Sequence, residues 1–209
     1  MFIDYDKINS VVSVFDTQVH QFGNKPYLWR KVQGKYASLS WIEVHDKVCK
    51  FALALSSLGI LSGDRVVIVS ENRPEWQIAD LAIMAAGGIT VPAYITNTTA
   101  DHEYIIKHSE ARALIVSNHS LTKNILPAVA NSSKCKNVIK IEDDNQSYNS
   151  PVSILSWSKL IQEKQGHSFN LKSASLKHQR DDTACIIYTS GTGGNPKGVM
   201  LSHRAMLTN

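Results

Sequence analysis

Residues 187–203 read IYTSGTGGNPKGVMLSH, and they gather the side chains of this sequence best suited to holding an anion. Cys185, Ile186, Ile187 and Tyr188 make a short apolar run with the composition of a buried strand, which Thr189 begins to leave. Gly191, Gly193 and Gly194 then free the backbone, so that successive N–H groups can turn toward one negative charge. Thr189, Ser190 and Thr192 add hydroxyl donors, Pro196 stiffens the chain, and Lys197 adds a positive charge on a long stem. Such a loop suits a polyphosphate. Three related motifs fail on spacing. A P-loop needs glycine immediately before the lysine and serine or threonine after it, where Pro196 and Gly198 stand. A dinucleotide fingerprint needs a glycine at the place of Pro196. A nucleophile elbow centred on Ser190 needs glycines in place of Tyr188 and Thr192.

The rest of the chain supplies a frame for that loop. Residues 26–39 read as a hairpin turning at Gln33-Gly34. Ser40 and Glu43 form a capping box for a helix whose apolar face carries Trp41, Val44, Val48, Phe51, Leu55 and Leu58, and Gly59 ends it. Short β-branched runs follow at 65–69, 89–93, 113–116 and 138–141, with helical segments at 75–86, 101–109 and 120–130 between them. That alternation predicts βαβ units: an α/β fold with a doubly wound, mainly parallel sheet flanked by helices, after an N-terminal hairpin and helix. A further strand at 183–188 feeds the glycine-rich loop, at the strand end where open α/β sheets hold ligands. Residues 199–201 read as another strand, and a helix begins at His203. Segments 142–151 and 164–182 read as exposed or irregular.

Other candidate residues have plain readings. His102-Glu103 opens like a zinc-protease helix, but Ile106 takes the place of the second histidine, so both are expected on a helix surface. Trp76 is expected to pack beside Ile78 and Leu81, and His203 to be satisfied by local hydrogen bonds. Asp64 and Arg65 are expected to fix a turn into the strand at 65–69, with no catalytic role.

TSGTGGNPKG resembles the phosphate-binding signature of the adenylate-forming superfamily, which includes acyl-CoA synthetases, luciferases and peptide-synthetase adenylation domains. Gly193 stands where the usual form has threonine, which removes one hydroxyl but keeps the backbone donors. Ser40-Trp41, Gly63-Asp64-Arg65-Val66 and residues 71–98, ENRPEWQIADLAIMAAGGITVPAYITNT, extend the resemblance, the last of them toward long-chain fatty acyl-CoA synthetases. The resemblance implies a two-step ligase using ATP, Mg2+ and coenzyme A to convert a fatty acid to its acyl-adenylate and then its thioester. It implies that Thr189, Ser190, Gly191, Thr192, Gly193, Gly194 and Lys197 hold the ATP phosphates. Lys197 would serve catalysis by following the leaving pyrophosphate, and Thr189 would face the metal. Relatives of this kind are usually more than twice as long. The expectation is therefore that residues 1–209 are the N-terminal portion of an AMP-binding domain, inactive as a ligase alone and prone to self-association through uncovered apolar surface. Activation of aryl, short-chain or amino acids, transfer to a carrier protein, and a non-catalytic nucleotide- or partner-binding protein are the competing readings.

Composition excludes several other classes. The 209 residues are 43% hydrophobic, ordinary for a folded soluble domain. Twenty-two basic and 18 acidic side chains leave a net charge of only +4, and Lys134, Lys136, Lys172 and Lys177 are scattered rather than blocked, so nucleic acid is not an expected partner. Three widely spaced cysteines, 49, 135 and 185, argue against a disulfide framework and for a reducing cytoplasm. The start, MFIDYDK, lacks the pattern of a secretion signal, and the apolar stretch 78–93 is broken by Asp80, two glycines and Pro92. A soluble protein is expected, with room for peripheral association at the inner face of a membrane.

Overall fold

The computed structural model describes residues 5–144, 146–190 and 195–208. Its elements run from a short 3-10 turn at Tyr5–Lys7 through α1 (Val11–Phe22), β1 (Pro26–Val32), β2 (Lys35–Ser40) and α2 (Trp41–Ser57). Then come β3 (Arg65–Val69), α3 (Pro74–Ala85), β4 (Ile89–Pro92), α4 (Thr99–His108), β5 (Ala113–Val116), α5 (His119–Ala130) and β6 (Asn137–Lys140). The last third holds β7 (Ser153–Ser156), α6 (Trp157–Glu163), α7 (Leu171–Ser175), β8 (Thr183–Thr189), β9 (Lys197–Ser202) and α8 (His203–Leu207).

Seven strands form one sheet in the order β7-β6-β5-β3-β4-β8-β9. All neighbours are parallel except β8 and β9, which are antiparallel. From β3 the chain moves to β4 on one side and then returns to β5 on the other, so the strand order reverses around β3. The α/β, doubly wound, mainly parallel architecture is the one expected.

Alternation along the strands divides the core between the two faces. Val66 and Ile68 join Ala113, Ile115 and Ile139 under α1, α2, α3 and α6. Val67 and Val69 join Leu114, Val116 and Val138 under α4 and α5. Strands buried on both faces must read as continuous apolar runs, and RVVIV and ALIV do. Capping starts the helices where side chains can meet free N–H groups. Ser40 and Glu43 satisfy each other's backbone at α2, and Thr98 and Asp101 do the same at α4. Gly59 and Gly87, just past the ends of α2 and α3, take positive φ.

Beyond the expected elements lie α1, β7, α6 and α7, the last inside the stretch 164–182 expected to be irregular. α1 lays Val12, Phe15 and Val19 on the core. In α6, Trp157 packs its ring 3.9 Å from that of Phe51. β7 pairs along β6 from Asn137↔Ser153 to Lys140↔Ser156. The predicted hairpin is present, with its turn residues Gln33 and Gly34 both at positive φ. All three cysteines are free and buried.

Candidate functional site

The predicted phosphate loop sits at the carboxyl end of β8. Thr189 and Lys197 are register partners across the β8–β9 pair, so residues 190–196 close a hairpin between them. Thr189, Ser190 and Lys197 are exposed at its mouth. Gly191, Thr192, Gly193 and Gly194 lie outside the described residues, so the expected backbone cradle is framed by its two ends.

Those ends rest on an aromatic brace. Tyr104 of α4 donates its hydroxyl hydrogen bond to the Pro196 carbonyl at 2.9 Å, tying the loop exit to the helix. The Tyr188 hydroxyl lies 2.8 Å from His108 Nδ1, and the Tyr104 and Tyr188 rings meet edge to face at 6.2 Å. Burial pushes the Tyr188 hydroxyl up to about 12, so it stays protonated and serves as a fixed hydrogen-bonding post. Across the ladder Gly198 faces Tyr188. A Cβ there would stand 3.0 Å from Ile186 Cγ2 and 3.3 Å from Tyr188 Cζ, so any larger residue would have to displace these side chains by a few tenths of an ångström, and glycine lets β9 lie close to the ring.

Two cavities open beside the loop. One of about 410 Å³ is bounded by Pro92, Tyr94, Asn97, Asp101, Thr189 and Ser190. The other, about 480 Å³, lies among Ser70, Glu71, Trp76, Tyr94, Ile95 and Ile187. Both lie at the carboxyl ends of β4 and β8, and the second reaches the end of β3, where the strand order reverses. That is the place where open α/β sheets take ligands. Glu71 accepts from Asn118 Nδ2 at 2.6 Å, and Arg73 pairs with Glu75 and Glu142, so the far rim is tied down by ion pairs and hydrogen bonds.

Thr189 and Lys197 thus stand opposite one another, with Ser190 next to Thr189 in the chain. Sequence reading missed Tyr104, His108, Asn97 and Asp101, though Tyr104 and His108 are four apart on one helix face. Trp76 packs against the core, as expected, and also borders the larger cavity. Asp64 accepts from the Leu61 N–H, and Arg65 donates to the Gly63 and Ser109 carbonyls, which is the turn-fixing role expected of them.

Two histidine expectations are corrected. His102 is buried rather than on the helix surface, because the Thr98 cap sets it in line with Ile105, Ile106 and Ser109 on the inward face of α4. Neither of its ring nitrogens meets a hydrogen-bond partner among the described residues, and burial lowers its basicity. His203 is also buried, and its Nδ1 accepts from the Val11 N–H at 3.4 Å, a bond to α1 rather than a local one. Burial and the neighbouring His178 ring, 4.8 Å away, push His203 down to about 4. Cys185, beneath the loop, is pushed up to about 12 by burial, which removes it as a nucleophile.

Thr189, Ser190 and Lys197 thus stand at the carboxyl end of β8 in a doubly wound α/β sheet, beside cavities of which one reaches the point where the strand order reverses. Comparison with known proteins narrows that class. The profile described as AMP-binding enzyme matches residues 15–209, and the chain belongs to that family. It is 32% identical to Long chain acyl-CoA synthetase 5 of Arabidopsis thaliana over 97% of its own length and 31% of that protein's. It is 31% identical to Long-chain-fatty-acid--CoA ligase FadD15 of Mycobacterium tuberculosis over 83% of its own length and 28% of the relative's. The chain thus spans about a third of the length of these curated relatives. The fold matches that of anthranilate CoA ligase AuaEII bound to anthranoyl-AMP, with TM-score 0.79 and 21% identity over 97% of this chain and 37% of that one. A benzoate CoA ligase from Burkholderia xenovorans LB400 aligns with TM-score 0.73 and 24% identity over 93% of this chain and 35% of that one.

Proposed function

We propose that residues 1–209 form the N-terminal portion of an AMP-binding domain in an enzyme that activates a long-chain fatty acid with ATP. The fatty carboxylate attacks the α-phosphorus, releasing pyrophosphate and leaving an acyl-adenylate. The thiol of coenzyme A then displaces AMP to give the thioester. The observation carrying this reading is the pairing of Thr189 with Lys197 across the loop 190–196, at the strand ends beside the cavities. Names of the relatives supply the acid class: those at 31–32% identity are called long-chain acyl-CoA synthetase or ligase.

In this scheme the loop positions and stabilises rather than reacts. Thr189 and Ser190 donate hydroxyl hydrogen bonds to phosphate oxygens, with the amides and hydroxyl of residues 191–194 completing the cradle. Lys197 places a point charge on the departing pyrophosphate. Tyr104 and Tyr188 hold the two ends of the loop, so its donors are aimed before the substrate arrives. No group of three ligating His, Cys, Asp or Glu side chains exists among the described residues. Mg2+ fits the donor set that is present, because it takes few protein oxygens alongside phosphate and water, and the exposed Thr189 hydroxyl would be its protein ligand. When bound, it would neutralise phosphate charge.

ATP–pyrophosphate exchange by the complete enzyme, driven by fatty, aryl and amino acids in turn, tests the reading. Exchange strongest with long-chain fatty acids is expected. Exchange with another acid class alone would keep the mechanism and replace the substrate, and no exchange with any acid would overturn the ligase reading. A second acceptor is worth including, because one relative, 26% identical, is named as a long-chain-fatty-acid–[acyl-carrier-protein] ligase. Acyl transfer to carrier protein in preference to coenzyme A would move this chain to that branch.

A further inference from the structure

The β1–β2 hairpin is a surface the ligase chemistry does not use. It forms its own two-stranded sheet and joins no other strand among the described residues. Its root is anchored: Leu28 and Leu39 pack against the core, Tyr27 stacks on Trp41 at 3.6 Å, and Arg30 reaches Glu75 at 3.3 Å. Its outer half is not. Register places Trp29 opposite Ser38 and Lys31 opposite Tyr36, so Trp29, Lys31 and Tyr36 share one face of the ribbon. Trp29 is 56% exposed and Tyr36 72% exposed, with the Lys31 ammonium 5.7 Å from the centre of the Tyr36 ring. At the tip, Val32 is exposed beside its partner Lys35.

Charge here is one-sided. Residues 25–40, KPYLWRKVQGKYASLS, contain Lys25, Arg30, Lys31 and Lys35 and no carboxylate, although the whole chain carries 18 acidic residues against 22 basic ones. Exposed indole and phenol rings beside lysines on a projecting ribbon match the chemistry of a bilayer interface. Aromatic rings with a polar edge settle at headgroup depth, and cations are drawn to anionic lipid. A nucleic acid would instead favour a basic groove with stacking platforms, and this ribbon has two strands of seven and six residues.

We propose that this hairpin docks the protein on an anionic membrane surface through its Trp29, Lys31 and Tyr36 face, with Lys35 adding charge from the tip, where its register with Val32 sets it on the other side of the ribbon. The inference is independent of which acid the nucleotide site activates. No helix of the described residues is long and apolar enough to cross a membrane, so the contact would be peripheral. A single ribbon gives weak, salt-sensitive attachment rather than permanent insertion.

Vesicle flotation of the full chain tests this, comparing pure phosphatidylcholine with a roughly 3:1 mixture of phosphatidylcholine and phosphatidylglycerol at low and at about 0.5 M salt. Binding to the anionic vesicles alone, lost at high salt, is expected. Lys31→Glu/Lys35→Glu should weaken it roughly tenfold or more. Trp29→Ser/Tyr36→Ser should weaken it several-fold while leaving the thermal midpoint unchanged, since all four positions are exposed. Equal retention of wild type and both variants on vesicles, or no retention of wild type, would overturn the proposal. So would sedimentation showing that Trp29→Ser/Tyr36→Ser abolishes a dimer, which would assign the face to a second copy. Single-stranded RNA displacing the protein from vesicles, with the lysine variant losing RNA binding, would assign it to nucleic acid instead.

Discussion

Replacing Asp80 by asparagine should make the protein more stable at neutral pH and unmask an acid dependence that the wild type hides. Asp80 lies on α3, only 6% exposed, on the face that α3 turns to the core. Burial pushes its carboxyl from an ordinary 3.8 up to about 6. The Thr90 hydroxyl is close enough to lower it slightly but makes no hydrogen bond of good geometry, so burial dominates. A shift of about two units corresponds to about 3 kcal/mol. The folded state holds this proton more tightly than the unfolded chain, so between about pH 4 and pH 6 stability falls as pH rises. Above pH 6 the full cost of a buried, unpaired carboxylate is present. His203 acts oppositely. With its folded value depressed from 6.5 to about 4, the unfolded chain binds the extra proton, and stability rises with pH across the same window. The two effects largely cancel in the wild type. Asp80→Asn removes the first, less about 1 kcal/mol or more for an amide without ideal partners. The expected result is a net gain of about 1–2 kcal/mol at pH 7.5, shrinking to nothing or reversing near pH 4.5. Urea denaturation of both proteins across pH 4.5–8 measures it. A stability difference that does not change with pH, or a variant weakest at pH 7.5, would refute the reasoning.

Two further outcomes bear on the loop. In the complete enzyme Lys197→Ala should lower the rate of ATP–pyrophosphate exchange at least about tenfold, the loss of a charge-assisted contact at the leaving group, with a much smaller effect on thioester formation. An unchanged exchange rate would remove Lys197 from catalysis. Gly198→Ala places a methyl 3.0 Å from Ile186 Cγ2 and 3.3 Å from Tyr188 Cζ, and should cost about 1–3 kcal/mol in chemical denaturation. A midpoint equal to wild type would mean that β9 is free to move away from the ring.

The parts of this fold legible in the sequence are those encoded by neighbours along the chain. The capping box of Ser40 and Glu43 and the turn at Gln33-Gly34 are decided within four residues, and both occur where expected. The βα rhythm is legible for a related reason: strands buried on both sides must be apolar throughout, and helices between them must carry caps. What was not legible depends on distant partners. β7 reads SILS, without the continuous buried apolar run of β5, and α6 has only seven residues; their support comes from β6 and from Phe51, roughly 15 and 100 residues away in sequence. His102 is instructive because the misreading was avoidable. Taken with its neighbour Glu103 it looks like a surface pair, whereas counted from the Thr98 cap it falls in line with Ile105, Ile106 and Ser109.

The site divides along the same line. The loop's donors are written consecutively from Thr189 to Lys197, so their chemistry can be read without a structure. Their aim cannot, because it depends on contacts between segments far apart in sequence. Tyr104 holds Pro196 across 92 positions, and His108 holds Tyr188 across 80. Gly198 belongs to the same brace. It lets β9 lie against Tyr188, which sets the register that puts Lys197 opposite Thr189. A side chain there would leave the proposed donors of the loop unchanged while crowding Ile186 and Tyr188 beneath them. The same dependence predicts where mutations would uncouple binding chemistry from binding geometry: at Tyr104, His108 and Gly198, none of which carries charge to the phosphate.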